Sequence, residues 1–217
     1  MNLVLDDTIR IPLGAANNLA AFRRWTKAGD YPERGEYAFL SGELWADVSM
    51  ETFLHNHLKG VIATVLSSIV MSDRLGRFCY DRMRLVHESA ALSCEPDAMF
   101  ASREALATQR VRLEERGQSL EVIGSPDMVL EVVSEHSVQK DTVVLRELYA
   151  AAGITEYWLV NPLGEELSFD ILRLTAKGYA VSRKTGGWAK STVFGKSFRL
   201  EAQESDDELP DYRLMMR

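Results

Sequence analysis

The alternation of apolar and polar positions divides the chain into short strands, three patterned helices and one charged excursion. Residues 15–27 carry helix formers and are closed by Gly29 and Pro32, which predicts a short helix. From 36 to 49 the pattern is extended, with Tyr37, Phe39, Leu44 and Trp45 arranged about a turn at Ser41-Gly42. The longest helical pattern runs from His57 to Met71, where Leu58, Ile62, Val65, Leu66 and Ile69 form one stripe. Strands are predicted at 78–86 and 98–101. A charged excursion from Ser102 to Ser125 follows, suited to a short helix and a solvated arm. Residues 128–133 form a nearly continuous apolar run, the signature of a strand covered on both faces.

A helix is predicted over 137–152, ending at Gly153, with Leu145, Leu148, Tyr149 and Ala152 on one face. Residues 154–160 read as a strand stopped by Asn161-Pro162. Residues 167–174 and 179–182 read as a hairpin turning near Lys177-Gly178. Together these predict an α/β fold, a mixed sheet with helices packed on it.

Composition sets outer limits. With 217 residues, 46% hydrophobic and 26% charged, the chain is sized for one domain and is neither disordered nor fibrous. Its longest apolar stretch, 61–71, contains Ser67 and Ser68 and falls well short of the roughly 20 residues that span a bilayer. The opening Met-Asn-Leu-Val-Leu-Asp-Asp lacks the basic-then-apolar order of a signal peptide. Cys79 and Cys94 alone supply neither a disulfide framework nor a zinc knuckle. The expectation is a soluble, reduced, cytoplasmic protein.

The net charge of −7 is unevenly placed: residues 201–211 hold six acidic residues and no basic one, leaving 25 basic against 26 acidic elsewhere. The expected organisation is one domain over 1–200 and an acidic, solubilising tail over 201–217. Nothing is basic enough to hold nucleic acid by charge alone. Phosphate contacts would fall to local groups, Arg74, Arg77, Arg82 and Arg84, or Arg103, Arg110, Arg112 and Arg116.

The candidate chemistry begins with a carboxylate out of place. Glu131 interrupts Met-Val-Leu-Glu-Val-Val, where an unpaired charge would cost several kcal/mol. Strand alternation sets Asp127, Val129, Glu131 and Val133 on one face. Asp97, in Glu95-Pro96-Asp97, stands at the mouth of the preceding strand. Either acid alone is ordinarily explained by an ion pair or a turn. On neighbouring strands the two could share one hard cation, and Mg²⁺ favours one or two carboxylates completed by waters.

The series Gly42-Glu43-Leu44, a helix opened by His57, Pro96-Asp97, Pro126-Asp127 with Glu131-Val-Val-Ser134, and Leu148-Tyr149 with Gly153 and Glu156-Tyr157-Trp158 resembles the Uma2 family. That family is a group of endonucleases of the PD-(D/E)xK, restriction-endonuclease-like superfamily. The resemblance runs from about residue 30 to 175. It implies a central mixed sheet flanked by helices, with Asp97 and Glu131 as ligands of Mg²⁺ or Mn²⁺, Glu43 as an accessory acid and His57 at the rim. The superfamily lysine two residues after the strand acid falls on Val133, and the helix position that Uma2-like proteins use falls on Leu145, an apolar-stripe residue. Arg146 is rotated about 100° from that position. Lys140, on the entry segment, is the candidate catalytic cation, the other reading being a solvated lysine beside an N-cap aspartate, Asp141.

The resemblance thus implies a metal-dependent endonuclease acting on DNA. A nuclease-fold protein without turnover, serving in binding or assembly, is the alternative that Leu145 permits. No membrane association is expected. A homodimer remains open, with Leu214-Met215-Met216 as the apolar segment available to it. The adjacency of His55, Asn56 and His57 is treated as coincidental. His87 and His136 lack ligand spacing. No glycine-rich phosphate loop or Gly-x-Ser-x-Gly elbow occurs. Trp158 reads as core, whereas Trp45 and Trp188 are candidates for surface contacts.

Overall fold

A computed structural model describes residues 2–4, 9–114, 118–204 and 209–217, with 2–4 as backbone only. At its centre lies a six-stranded sheet in the order Gly178–Val181, Ser168–Thr175, Glu156–Asn161, Met128–Val132, Ala98–Ser102 and Gly76–Tyr80. Met128–Val132 runs parallel to Glu156–Asn161 and antiparallel to Ala98–Ser102, so the sheet is mixed, as expected.

Alternation along Met128–Val132 separates two cores. Met128, Leu130 and Val132 face the helix Phe53–Ser72, whose Leu58, Ile62, Leu66 and Ile69 form the predicted stripe. Val129 faces the opposite way, towards Leu145, Tyr149 and Tyr157 and a second six-stranded sheet that contributes Leu40, Leu85 and Leu92. A third cluster, around Phe22, Trp25 and Tyr37, holds the helix Leu19–Thr26 against that second sheet.

Three expectations change. The strand predicted over 78–86 is two strands, Gly76–Tyr80 and Arg84–His87, in different sheets. Asp81 and Arg82 between them adopt left-handed backbone (φ 56° and 54°), which turns the chain out of one sheet and into the other.

The helix predicted over 137–152 contains a π turn, Lys140–Val144, near its start and before the α-helical Leu145–Ala151. It ends, as anticipated, at Gly153 with φ 72°.

The acidic segment after residue 200 is not a free tail where it is described. Ser197–Gln203 pairs antiparallel with Asp211–Met216 in a four-stranded sheet, and Leu214 is buried in the core beside the long helix. Leu214 is thus taken up within the chain, while Met216 is half exposed. Asp206, Asp207 and Glu208 lie outside the described residues. Among the described residues no helix is long and apolar enough to cross a membrane.

Glu156, first residue of the Glu-Tyr-Trp run, is fully buried and satisfied. Its carboxylate accepts hydrogen bonds from Trp158 Nε1 (3.0 Å), Ser191 Oγ (2.6 Å) and Thr192 Oγ1 (2.7 Å), which ties the central sheet to the C-terminal one.

Candidate active site

The ladder between Met128–Val132 and Ala98–Ser102 pairs Leu130 with Ala98. One further step in the same register sets Asp97 opposite Glu131, on the same face. The Asp97 carboxylate is fixed by the neighbouring strand, Oδ2 accepting from Val132 N at 2.7 Å. Glu131 is only 3% exposed, and its Oε1 accepts from the Tyr149 hydroxyl at 2.5 Å. Tyr149 OH in turn lies 3.3 Å from Cys94 Sγ. Burial pushes Glu131 well above the usual carboxylate range; Lys140 opposes that shift, and the charges of Asp141 and Asp97 add to it.

Lys140 lines the same cavity as this pair, and the π turn helps to place it there. The Leu145 amide bonds to the Lys140 carbonyl five residues back, so the wide turn brings the Lys140 side chain nearer the face of Leu145 than a 3.6-residue winding would. Lys140 Nζ lies 3.3 Å from Asp141 Oδ1 and 3.9 Å from Glu36 Oε2. Burial disfavours its charge, but Asp141, Glu131, Glu36 and Asp97 outweigh burial and raise its pKa. Asp141 Oδ1 is buried and accepts no aligned hydrogen bond among the described residues. Leu145 itself is fully buried, and Arg146 Nη2 donates to the Tyr179 carbonyl at 3.0 Å.

A second array comes from the long helix, capped by Thr52, whose side chain accepts from His55 N. Glu51, His55 and Lys59 follow at four-residue spacing and so share one side. His55 Nδ1 meets Glu51 Oε1 and its Nε2 meets the Val132 carbonyl, both at 2.7 Å, with Asp97 Oδ2 at 3.4 Å from Nε2. A ring with an acceptor at each nitrogen is an imidazolium donating twice. Burial opposes that charge, but the hydrogen bond and charge of Asp97, with Glu51, raise the His55 pKa to about 9. Lys59 Nζ lies 2.6 Å from Glu51 Oε1 and 3.7 Å from Asp97 Oδ1. Although burial would raise Glu51, hydrogen bonds from Lys59, Asn56 and His55 hold it down at about 2.

Asp97, Glu131 and Lys140 therefore line one open cavity of about 580 Å³, together with Glu36, Asp47, Glu51, His55, Lys59 and Asp141. Glu43 is not among its lining residues. The Ser41-Gly42 turn leaves Glu43 exposed at the hairpin tip opposite Leu40, and the far end of the same hairpin delivers Glu36 and Asp47 instead. His57 also points elsewhere, its Nε2 3.0 Å from Asp211 Oδ1 and its ring stacked on Phe53. The pocket histidine is His55, two residues earlier. Its signal in the sequence was the Glu-x-x-x-His-x-x-x-Lys spacing, which is legible only once the helix is known to start at Phe53.

Of the candidate phosphate contacts, Arg82 lines the cavity mouth and donates to the Glu33 carbonyl. Arg84 is buried against Glu95 and Tyr31, and Arg110 pairs with Asp127. Arg116 lies outside the described residues. The second Pro-Asp is structural, since Asp127 Oδ2 accepts from Ser102 N at 2.6 Å.

Among the described residues no three acidic, histidine or cysteine side chains are gathered as a closed metal cage. What is present is a pair of hard oxygen donors with mutual repulsion to offset, an arrangement that suits a divalent cation holding most of its waters.

A model of the Uma2 family, described as "Putative restriction endonuclease", matches residues 19–202. No curated protein matches the chain. Among solved structures, the chain is similar to a protein from Anabaena variabilis ATCC 29413 described as a "putative nuclease belonging to DUF820". The TM-score is 0.60 at 18% identity, over 82% of this chain and 90% of that one. At that identity the likeness shows a shared fold.

Proposed function

The chain belongs to the Uma2 family, and from that premise we propose that it is a metal-dependent endonuclease hydrolysing phosphodiester bonds of DNA. The observation that carries this reading is the buried Glu131 carboxylate facing Asp97 across two paired strands, with Lys140 in the same cavity. Asp97 and Glu131 would hold Mg²⁺ or Mn²⁺. When bound, such a cation supplies charge to polarise the scissile phosphate and to lower the pKa of a water.

The remaining work falls to side chains. Tyr149 fixes Glu131 Oε1, and the Val132 amide with His55 fixes Asp97 Oδ2, so neither acid must reorganise on loading. Lys140, charged throughout the neutral range, offsets the charge that builds on the phosphate oxygens. Burial raises the Asp141 carboxyl, and its Oδ1, 3.3 Å from Lys140 Nζ, holds that ammonium in the cavity. Arg82 at the mouth can take a flanking phosphate.

The competing reading, a binding or assembly protein on the same scaffold, rests on Leu145 at the family's lysine position. Calorimetric titration with Mn²⁺ alongside plasmid nicking separates the two. For the wild type we expect binding and nicking, and for Glu131→Gln we expect loss of at least about 100-fold in nicking together with weakened Mn²⁺ binding. Mn²⁺ affinity unchanged in Glu131→Gln would refute the ligand assignment. Metal binding without nicking would favour the non-catalytic protein.

A further inference from the structure

Beside the acidic cavity lies a second recess of about 440 Å³ whose lining includes Glu36, Asp47, Glu95, His136 and Lys140 of the first, so the two are adjacent. Its far wall is Trp45. In the register of the Glu36–Leu40 and Glu43–Asp47 hairpin, Trp45 stands opposite Ala38 and Asp47 opposite Glu36, which places all four on one face. The small Ala38 leaves space beside the indole. Trp45 is half-buried, lines the recess, and among the described residues neither stacks on another ring nor hydrogen-bonds through Nε1. The contrast is with Trp188, whose ring is covered by Arg199 and Arg217, and Trp158, packed between Phe169 and Phe198.

We propose that the recess is a nucleobase subsite: the base next to the scissile phosphate leaves its stack and lies against Trp45, so the substrate is DNA that is single-stranded at that point. This rests on the nuclease reading above. Three observations support it. The volume is in the range of small-ligand pockets. The recess is walled by the carboxylates Glu36 and Asp47, which repel a phosphate but can accept hydrogen bonds from a base edge, while Glu95 beside them is paired with Arg84. Lys140 stands where the two cavities meet, between the place for the base and the place for the phosphate. A base inside a duplex would have to be unpaired and unstacked to enter, at a cost of a few kcal/mol that a single strand largely avoids.

The test is equilibrium binding of a fluorescein-labelled oligonucleotide of about 12 nucleotides, single-stranded or as the matching duplex, to the full chain, with Ca²⁺ in place of Mg²⁺ to suspend cleavage. The single strand should bind at least about tenfold more tightly than the duplex. Trp45→Leu, which fills the wall without an aromatic face, should weaken single-strand binding about tenfold, while Trp45→Phe keeps most of it. Equal or tighter duplex binding, no binding of either form, or a Trp45→Leu protein that folds and binds like wild type overturns the subsite. Should Trp45→Leu fail to fold, the strand preference of the wild type and the retention in Trp45→Phe still decide. Mn²⁺ binding and Mn²⁺-dependent cleavage of the same single-stranded oligonucleotide are measured separately: their loss with strand preference intact sinks the metal reading alone, and their presence with Trp45 indifferent sinks the recess alone.

Discussion

At the scale of single residues, the site is a balance of buried charge. Three carboxylates, Asp97, Glu131 and Asp141, share low-dielectric space with the two lysines Lys59 and Lys140 and the imidazolium of His55. His55 makes part of this balance dependent on pH. Its folded pKa of about 9 lies above its ordinary 6.5. The stability it contributes is therefore fully present below about 6.5 and is lost as pH rises through about 9. Thermal melts followed by circular dichroism should show the melting temperature falling across that window in the wild type and falling less in His55→Gln. Identical slopes would mean that His55 is not the titrating group.

Glu131 was legible at this scale, because one acid in a fully apolar strand has few explanations. His55 was not, because its partners are Val132, 77 residues away in sequence, and Asp97, which no local pattern connects to it. Asp127 shows the limit from the other side: its Pro-Asp context matches that of Asp97, yet it caps Ser102 N and pairs with Arg110.

At the scale of elements, the decisive feature is the π turn over Lys140–Val144. A regular α-helix through 137–152 would set Lys140 and Leu145 on different sides. The wide turn lets Lys140 approach the acids while Leu145 keeps its place in the core with Tyr149 and Tyr157. The helix was legible in its apolar spacing. The π turn was not, since that spacing begins only at Leu145. It follows that the family's lysine cannot be restored at this position. Leu145→Lys should destabilise the protein by about 3–5 kcal/mol in urea denaturation without raising nicking, because it places an ammonium among buried side chains. A stable, more active variant would contradict this account of the turn.

The hairpin Glu36–Leu40 with Glu43–Asp47 was read correctly as strands. Glu43, at its turn end, does not line the cavity, whereas Glu36 and Asp47 at the other end do, because sequence shows the turn but not which end faces the sheet's neighbour.

At the scale of the whole molecule, three sheets enclose two principal cores, and the cavity opens where the long helix, the central strands and the second sheet meet. Composition made the final segment look like a solvated tail. Its alternation, with Tyr212 and Leu214 turned towards the long helix, instead makes it a strand of the third sheet. Leu214→Ala should therefore cost about 2–5 kcal/mol, the penalty of a core truncation, measured by chemical denaturation. A change near zero would mean that the segment contributes nothing to the fold.

The central claim is that Asp97 and Glu131 together bind a divalent cation, and anomalous diffraction from a crystal soaked in Mn²⁺ tests it most directly. The account predicts a single strong manganese peak within coordination distance of one oxygen from each carboxylate, about 2.0–2.3 Å, with Lys140 on the cavity side. A crystal with no peak there, or with manganese bound only elsewhere while Lys59 stays beside Asp97 and Tyr149 stays on Glu131, would contradict it.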